Sequence, residues 1–302
     1  ARGMVTTSGG GFALMTEGLS LAGMIESPVV IHLAQRPGPA TGLPTRTEQG
    51  DLLFALYGGH GYFPRIILAP GTIEEAYDLS RRAFGLADTL QVPVIILTDQ
   101  YLIDSYTNVA GLDTSPVAGG AIVETKKDYS RYRITPDGIS PRGVPGHGSG
   151  LVCVDSDEHD EDGRITESRE VRTAMVEKRL RKSVKVREAA IEPVLTGGED
   201  FRDLVVGWGS TCPIIRGGLD AAGVKDASFL HISQVYPMHP RVREYMEKAE
   251  RVIVVENNVI SQLGKVLLLE TGLKPDAVIL KYDGHPFSVE ELAGRLSEVL
   301  QN

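Results

Sequence analysis

Arg36 follows directly on a short apolar run, Ser27 to Ala34 (SPVVIHLA), whose length and β-branched residues suit a parallel strand covered on both faces. Ligands of open α/β sheets collect beyond the carboxyl ends of strands, so a guanidinium at that place points to recognition of an anion. The stretch from Gln35 to Leu53 reads QRPGPATGLPTRTEQGDLL, and Pro37, Gly38, Pro39, Gly42 and Pro44 restrict its backbone. Arg36 and the hydroxyls of Thr41 and Thr45 are thereby presented with little entropy left to lose. A planar guanidinium pairs bidentately with a carboxylate, a geometry that lysine does not reproduce. Spacing alone also admits a plain surface cation on a tight connection. Glu48, Gln49 and Asp51 follow, either as caps of the next helix or as contacts to a substrate or partner.

A second turn, Thr6-Thr7-Ser8-Gly9-Gly10-Gly11-Phe12, reads as a strand end running into a helix start. Ser8, Gly9 and Gly10 would expose backbone amides there, suited to an anion or cofactor contact or to a simple tight turn. The histidines form no triad pattern: His32 falls within the apolar run, and His60, His147 and His159 lie in loops without a paired nucleophile. Cys153 and Cys212 are too few for a four-cysteine iron–sulfur cluster or a structural zinc site, and read as small buried hydrophobes. The acidic run Asp155 to Gly163 (DSDEHDEDG) fails as a calcium loop, because its first ligand would be Glu158 and its closing acid would fall on Arg169.

These residues need a scaffold, and the periodicity supplies one. Strands are expected at Val29 to Leu33, Arg65 to Ala69 and Val92 to Thr98, with helices over Gly11 to Met24, from about Gln49 to Tyr57, and from Thr72 to about Leu90. Such alternation implies a parallel sheet. Between 126 and 190 the periodicity is lost in a Pro- and Gly-rich connection, and the basic run Glu177 to Arg187 is expected on one helix in a solvated or partner-facing position. From Glu192 a second α/β unit is expected, with strands at Asp203 to Trp208, Ser228 to Ile232, Arg251 to Glu256 and Ala277 to Lys281. Gly207-Trp208-Gly209-Ser210-Thr211 is no dinucleotide turn, since position 212 is Cys and Ser233, not an acid, ends the next strand.

The 302 residues, 42% hydrophobic and 24% charged, suit an ordinary folded protein with room for two cores. A net charge of −9 argues against non-specific binding to nucleic acid or an anionic membrane. No apolar run reaches the ~20 residues that span a bilayer, and no signal peptide is visible, so a cytoplasmic location is expected.

The segment QRPGPATGLPTRTEQGDL resembles the loop after a central strand in the catalytic α subunits of 2-oxoacid:ferredoxin oxidoreductases, most of all the 2-oxoglutarate branch. MVEKR at Met175 to Arg179, the EHDE stretch before it, VVENN at Val254 to Asn258 and YDGHPF at Tyr282 to Phe287 extend the likeness to nearly the whole chain. The resemblance implies that Arg36 and Thr45 touch the 2-oxoacid, with Thr41 completing the pocket; Ala40 stands where many relatives carry a serine hydroxyl. It implies an α/β fold: an incomplete thiamine-diphosphate pyrimidine-binding-type domain at 1–125, an irregular linker and helix at 126–190, and a transketolase C-terminal-like doubly wound domain at 191–302. The upstream segment with the glutamate that protonates the aminopyrimidine is not in this sequence, nor is the Gly-Asp-Gly signature that holds Mg²⁺ and the diphosphate. The chain thus reads as starting inside a domain and supplying one wall of a site. Implied with it are a β subunit holding thiamine diphosphate, Mg²⁺ and a [4Fe–4S] cluster, coenzyme A as acyl acceptor, ferredoxin as electron acceptor, and a hetero-oligomer. Two alternatives stand beside it: a pyruvate or branched-chain 2-oxoacid oxidoreductase subunit, and a non-catalytic assembly subunit of the same fold.

Overall fold

Short β-branched runs buried on both faces and amphipathic segments between them dictate alternating strands and helices, and the computed structural model, which describes residues 2–117 and 119–300, has that order. The first part runs β1 (Met4–Ser8), α1 (Gly9–Leu14), α2 (Thr16–Met24), β2 (Val29–Gln35), α3 (Leu52–Tyr57), β3 (Ile66–Leu68), α4 (Ile73–Leu90), β4 (Pro93–Asp99) and α5 (Gln100–Ile103). After an irregular stretch come α6 (Arg169–Glu188), β5 (Val194–Thr196), β6 (Asp203–Gly207), α7 (Thr211–Ala222), β7 (Ala227–His231) and β8 (Gln234–Tyr236). The chain continues with α8 (Arg241–Lys248), β9 (Arg251–Glu256), α9 (Gln262–Thr271), β10 (Ala277–Leu280) and α10 (Val289–Leu300).

Two five-stranded sheets result, in the orders β1-β2-β4-β3-β8 and β10-β9-β6-β7-β5. Four strands of each are parallel, as expected, but each sheet ends in an antiparallel strand: β8 on β3 and β5 on β7. These strands have three residues each, too short to show a period of two. One apolar cluster reaches from Ile31, Leu33, Ile95 and Leu97 of the first sheet to Val206, Leu230 and Val254 of the second, so the sheets share buried surface. No helix among the described residues is long and apolar enough to cross a membrane.

Helix α4 begins as its sequence predicts, with the Thr72 hydroxyl accepting from Glu75 N at 3.2 Å. The helix expected over Gly11 to Met24 is two helices, because Met15 leaves helical geometry at φ −108°, ψ 8°. The helix expected from Gln49 starts at Leu52, since Gln49 and Gly50 bond to the second unit instead.

The largest correction concerns the basic run. Helix α6 continues beyond MVEKR to Glu188, and Lys178 and Lys182, one turn apart, are fully buried. Both ammonium groups meet the Glu26 carboxylate, Lys178 at 2.5 Å and Lys182 through the other oxygen. Burial alone would raise the Glu26 carboxyl; Lys182 and Lys178 hold it at about 2. The acidic run is likewise spent inside the chain: Glu158 pairs with Arg172 and Arg179, and Asp160 accepts from the backbone of Asp162 and Arg164. Cys212 is buried as expected, whereas Cys153 is only half-buried.

Candidate active-site loop

Strand β2 ends on Gln35, a buried side chain that ties three segments together. Its Oε1 accepts from Asp51 N at 2.9 Å and its Nε2 donates to Thr98 O at 3.2 Å, joining the strand end, the far end of the loop and β4. Arg36 comes next, half-buried, and forms no hydrogen bond or ion pair with any described residue. The loop closes on itself where Leu43 N donates to Pro37 O at 3.1 Å. Gly42 sits there at φ +53°, and a Cβ on it would lie 1.8 Å from Pro37 O, so only glycine permits this closure. Thr41 and Thr45 are exposed. Thr45 lines a cleft of about 210 Å³ with Gln100, Tyr101, Asp104 and His285.

The loop's front is open and its tail is locked. Thr47 N donates to Gly284 O at 3.1 Å, and the Thr47 hydroxyl accepts from Tyr101 N at 3.2 Å. Gln49 donates from its backbone to Asn257 O (2.7 Å) and from Nε2 to Trp208 O (2.8 Å), while Oε1 accepts from Asn257 N (2.9 Å). Gln262 continues the seam by accepting from Leu53 N and donating to Gly50 O. In the second sheet β6 lies between β7 and β9, so the carboxyl ends of β6 and β9 frame the crevice where a doubly wound sheet would hold a ligand. Gln49 fills that crevice. Beneath it, buried Glu256 accepts from Trp208 Nε1, Asn258 Nδ2, Ser261 Oγ and the amides of Leu263 and Gly264, which fixes the turn that grips Gln49.

Charge in the site centres on Asp51. It occupies the position before α3, but its side chain makes no capping bond, so of the two expected roles the cap is not the one it takes. The carboxylate instead lies against Gly9 at the start of α1, where a Cβ would come within 2.6 Å of Oδ2. Burial raises Asp51 to about 6, against the pull of Arg36. Glu48 is raised too, by burial and then by Asp51. The structure thus brings Arg36, Glu48, Asp51 and Gly9 into one electrostatic neighbourhood. The Ser8 side chain makes no cap bond, and Gly10 is exposed. Thr41 and Thr45 stand on the loop's outer part with no side-chain bond to that group.

His32 donates to or accepts from the Thr98 hydroxyl at 2.7 Å, and burial lowers its pKa, so it is a neutral ring below the loop. Spacing did not expose the roles of Gln35, Asn257, Trp208 and Gln262; the signal available was a polar residue closing each of two mostly apolar strands, Gln35 and Glu256.

A family described as "Pyruvate flavodoxin/ferredoxin oxidoreductase, thiamine diP-bdg" matches residues 1–178. The chain is 41% identical over 314 residues to "2-oxoacid:ferredoxin oxidoreductase 2, subunit alpha" of Aeropyrum pernix, covering all of this chain and 48% of that protein. It is 33% identical over 258 residues to "2-oxoglutarate synthase subunit KorA" of Archaeoglobus fulgidus, covering 84% of this chain and 68% of the relative. Among solved structures, the 2-oxoglutarate:ferredoxin oxidoreductase from Magnetococcus marinus with 2-oxoglutarate, coenzyme A and succinyl-CoA bound matches with a TM-score of 0.89 at 31% identity, over 98% of this chain and 52% of that one. The chain therefore spans about half the length of the Aeropyrum relative and of the solved neighbour. A family match over more than half of the residues, joined to a locked loop that presents an unpaired arginine, places the chain in the pyruvate flavodoxin/ferredoxin oxidoreductase family, among relatives named as α subunits of 2-oxoacid:ferredoxin oxidoreductases.

Proposed function

We propose that this chain provides the α-subunit part of a 2-oxoglutarate:ferredoxin oxidoreductase, which decarboxylates its 2-oxoacid oxidatively to acyl-CoA and CO2 and passes the electrons to ferredoxin. The observation that carries the reading is Arg36, fixed at the carboxyl end of β2 and without a partner of its own. Arg36 binds the substrate carboxylate, and Thr45 and Thr41 donate hydrogen bonds from the outer loop. Gln49 positions all three by anchoring the loop's tail. The Magnetococcus neighbour, a 2-oxoglutarate enzyme, favours that acid over pyruvate or a branched-chain acid.

Thiamine diphosphate, when bound, supplies the electron sink that no side chain offers. The residues here fit only one side of it. Among the described residues no three acidic, histidine or cysteine side chains converge on a cation position, and in this reading Mg²⁺ and the diphosphate are held by a surface outside these residues, that of the β subunit. The turn at Ser8, Gly9 and Gly10, with Asp51 against it, forms the wall on this side. Asp51, poised near pH 6, holds or releases a proton beside Arg36 and so sets how strongly Arg36 attracts an anion. A [4Fe–4S] centre needs four thiolates, more than the two cysteines here, and in this reading it is held by a β subunit. In this reading residues 1–125, 126–190 and 191–302 are the incomplete pyrimidine-binding-type domain, the linker with its helix, and the doubly wound domain, in a cytoplasmic hetero-oligomer.

The test is turnover of the purified assembly with coenzyme A, thiamine diphosphate and ferredoxin on 2-oxoglutarate, pyruvate and a branched-chain 2-oxoacid. The highest kcat/KM is expected for 2-oxoglutarate, and Arg36→Met should cost about 2–5 kcal/mol of transition-state binding. Equal activity of Arg36→Met, or no turnover of any 2-oxoacid, would sink the proposal.

A further inference from the structure

The loop that presents Arg36 carries a second arginine, to which the 2-oxoacid reading gives no task. Arg46 follows Thr45 and lines the same cleft of about 210 Å³, together with Tyr101, Asp104 and His285. That cleft lies beyond the carboxyl ends of β4 and β10, where open α/β sheets hold their ligands. An arginine exposed on a loop is ordinarily a solvated cation, but three observations set this one apart. Its stem is packed: Gly284 stands at φ +85°, and a Cβ there would lie 3.2 Å from Arg46 Cβ and 3.4 Å from its Cγ. Glycine at that position lets a turn of the second unit seat the arginine. The backbone is fixed on both sides, with Arg46 N donating to Leu43 O and Thr47 N to Gly284 O, both at 3.1 Å. The guanidinium, so held, forms no hydrogen bond or ion pair with any described residue.

The surroundings leave that cation to a ligand. The backbone of His285 is pinned, its carbonyl accepting from Asn257 Nδ2 and its amide donating to Asp283, while its ring has no hydrogen-bond partner among the described residues. The nearby acids are already engaged: Asp104 accepts from Gln100 Nε2 through both oxygens, and Asp283 pairs with Lys281. The same loop also brings Arg46 round toward Arg36. Leu43 N donates to Pro37 O and Leu43 O accepts from Arg46 N, so Leu43 alone bridges the residue after Arg36 and Arg46. Two guanidinium groups on one closed loop, with a cleft of small-molecule size at the second, suit an acid that carries a carboxylate at each end.

We propose that Arg46, with His285 beside it, is the specificity-determining pair that takes the distal carboxylate of a dicarboxylic 2-oxoacid, while Arg36 holds the carboxylate next to the oxo group. Resting on the 2-oxoacid reading of Arg36, this assignment supplies a reason in the chain's own residues for a diacid to be preferred to pyruvate. A monocarboxylic acid of the same length leaves Arg46 without a partner and gains nothing from the seat that Gly284 provides. Because the guanidinium stays in contact with water, the discrimination is moderate and not absolute. A phosphate of coenzyme A offers the same anionic chemistry. The small cleft and the short link from Arg46 to Arg36 favour the substrate's own second carboxylate.

The test compares kcat/KM of the purified assembly for 2-oxoglutarate and for 2-oxopentanoate, which has the same carbon chain without the second carboxylate. KM for coenzyme A is measured alongside. Arg46→Met keeps the packed stem and should lower the ratio of the two kcat/KM values on the order of tenfold, mainly through KM for 2-oxoglutarate. Arg46→Lys should restore part of that loss. His285→Ala, at an exposed side chain, should lower the ratio by about threefold and decides the matter if Arg46→Met does not fold. Arg36→Met, by contrast, should depress both substrates alike and leave the ratio where it was. A ratio untouched by both Arg46→Met and His285→Ala, or an effect confined to KM for coenzyme A, overturns the assignment, and the 2-oxoacid reading still stands if Arg36→Met has lost activity on both acids. Full activity of Arg36→Met overturns that reading instead.

Discussion

Two places in this molecule set basic groups beside a carboxylate, and they do opposite things with it. At Glu26 two buried ammonium groups close on one carboxylate and hold it at about 2, so every charge is spent within the chain. At Arg36 the nearby carboxylate, Asp51, is pushed up to about 6, and the guanidinium keeps its hydrogen-bonding capacity. The first arrangement fixes α6 to the turn after α2; the second leaves a cation for something outside the chain. What separates the two places is thus whether the cations close on the carboxylate in direct ion pairs, and not how many charges are present.

The comparison breaks most sharply at Glu26. Glu26→Gln strands two buried lysines and should cost about 3–5 kcal/mol of unfolding free energy. Urea denaturation checks this, and a loss below about 1 kcal/mol would show that the cluster is not sealed. Since Glu26 titrates at about 2 when folded and near 4.5 otherwise, its contribution is present above pH 4.5 and drains away as pH falls toward 2. Arg36→Met should do the reverse: kcat/KM falls by the amount given above, while stability stays within about 0.5 kcal/mol.

Between these lies Gln49, which serves both structure and site. Gln49→Leu leaves Asn257 N without its partner and takes from Trp208 O one of its two donors, the Thr211 hydroxyl remaining, for a loss of about 1–3 kcal/mol in stability, and should raise KM for the 2-oxoacid more than it lowers kcat. An unchanged KM would separate the anchor from the site. Asp51 sharpens the contrast by pH. Ionised above about 6, it competes with a substrate anion for Arg36, so KM should rise as pH passes upward through 6 and stay flat in Asp51→Asn. The same pH profile in both proteins would remove Asp51 from the account. Thr45→Val should have the smallest effect, about 0.5–1.5 kcal/mol in kcat/KM, with no change in denaturation midpoint.

Much of the scaffold was legible because buried parallel strands advertise themselves. Val29 to Leu33, Val92 to Thr98 and Arg251 to Glu256 are apolar runs bounded by turn residues, and all three became central strands. The stiff loop was legible for the same local reason: glycine and proline act on their own backbone, as Gly42 shows. What stayed hidden was partnership over distance. Lys178 and Lys182 read as solvated because nothing in their neighbourhood names Glu26, some 150 positions away. Gln49 likewise gave no hint that its amide would be claimed by Trp208 and Asn257 of the second unit. Three-residue strands such as Val194–Thr196 lie below the length at which alternation can be seen at all.

Strand β8 carries one more consequence, for the order in which the protein can be made. Leu68 of β3 has its antiparallel partner in Gln234, so the outer edge of the first sheet stays unpaired until synthesis has passed Gln234, well into the second unit. At ~5–20 residues per second that interval is on the order of ten seconds, during which β3 offers a bare, apolar edge to any neighbouring chain. The newborn protein's exposure to aggregation is thereby set on the ribosome, by the three residues that close the first sheet last.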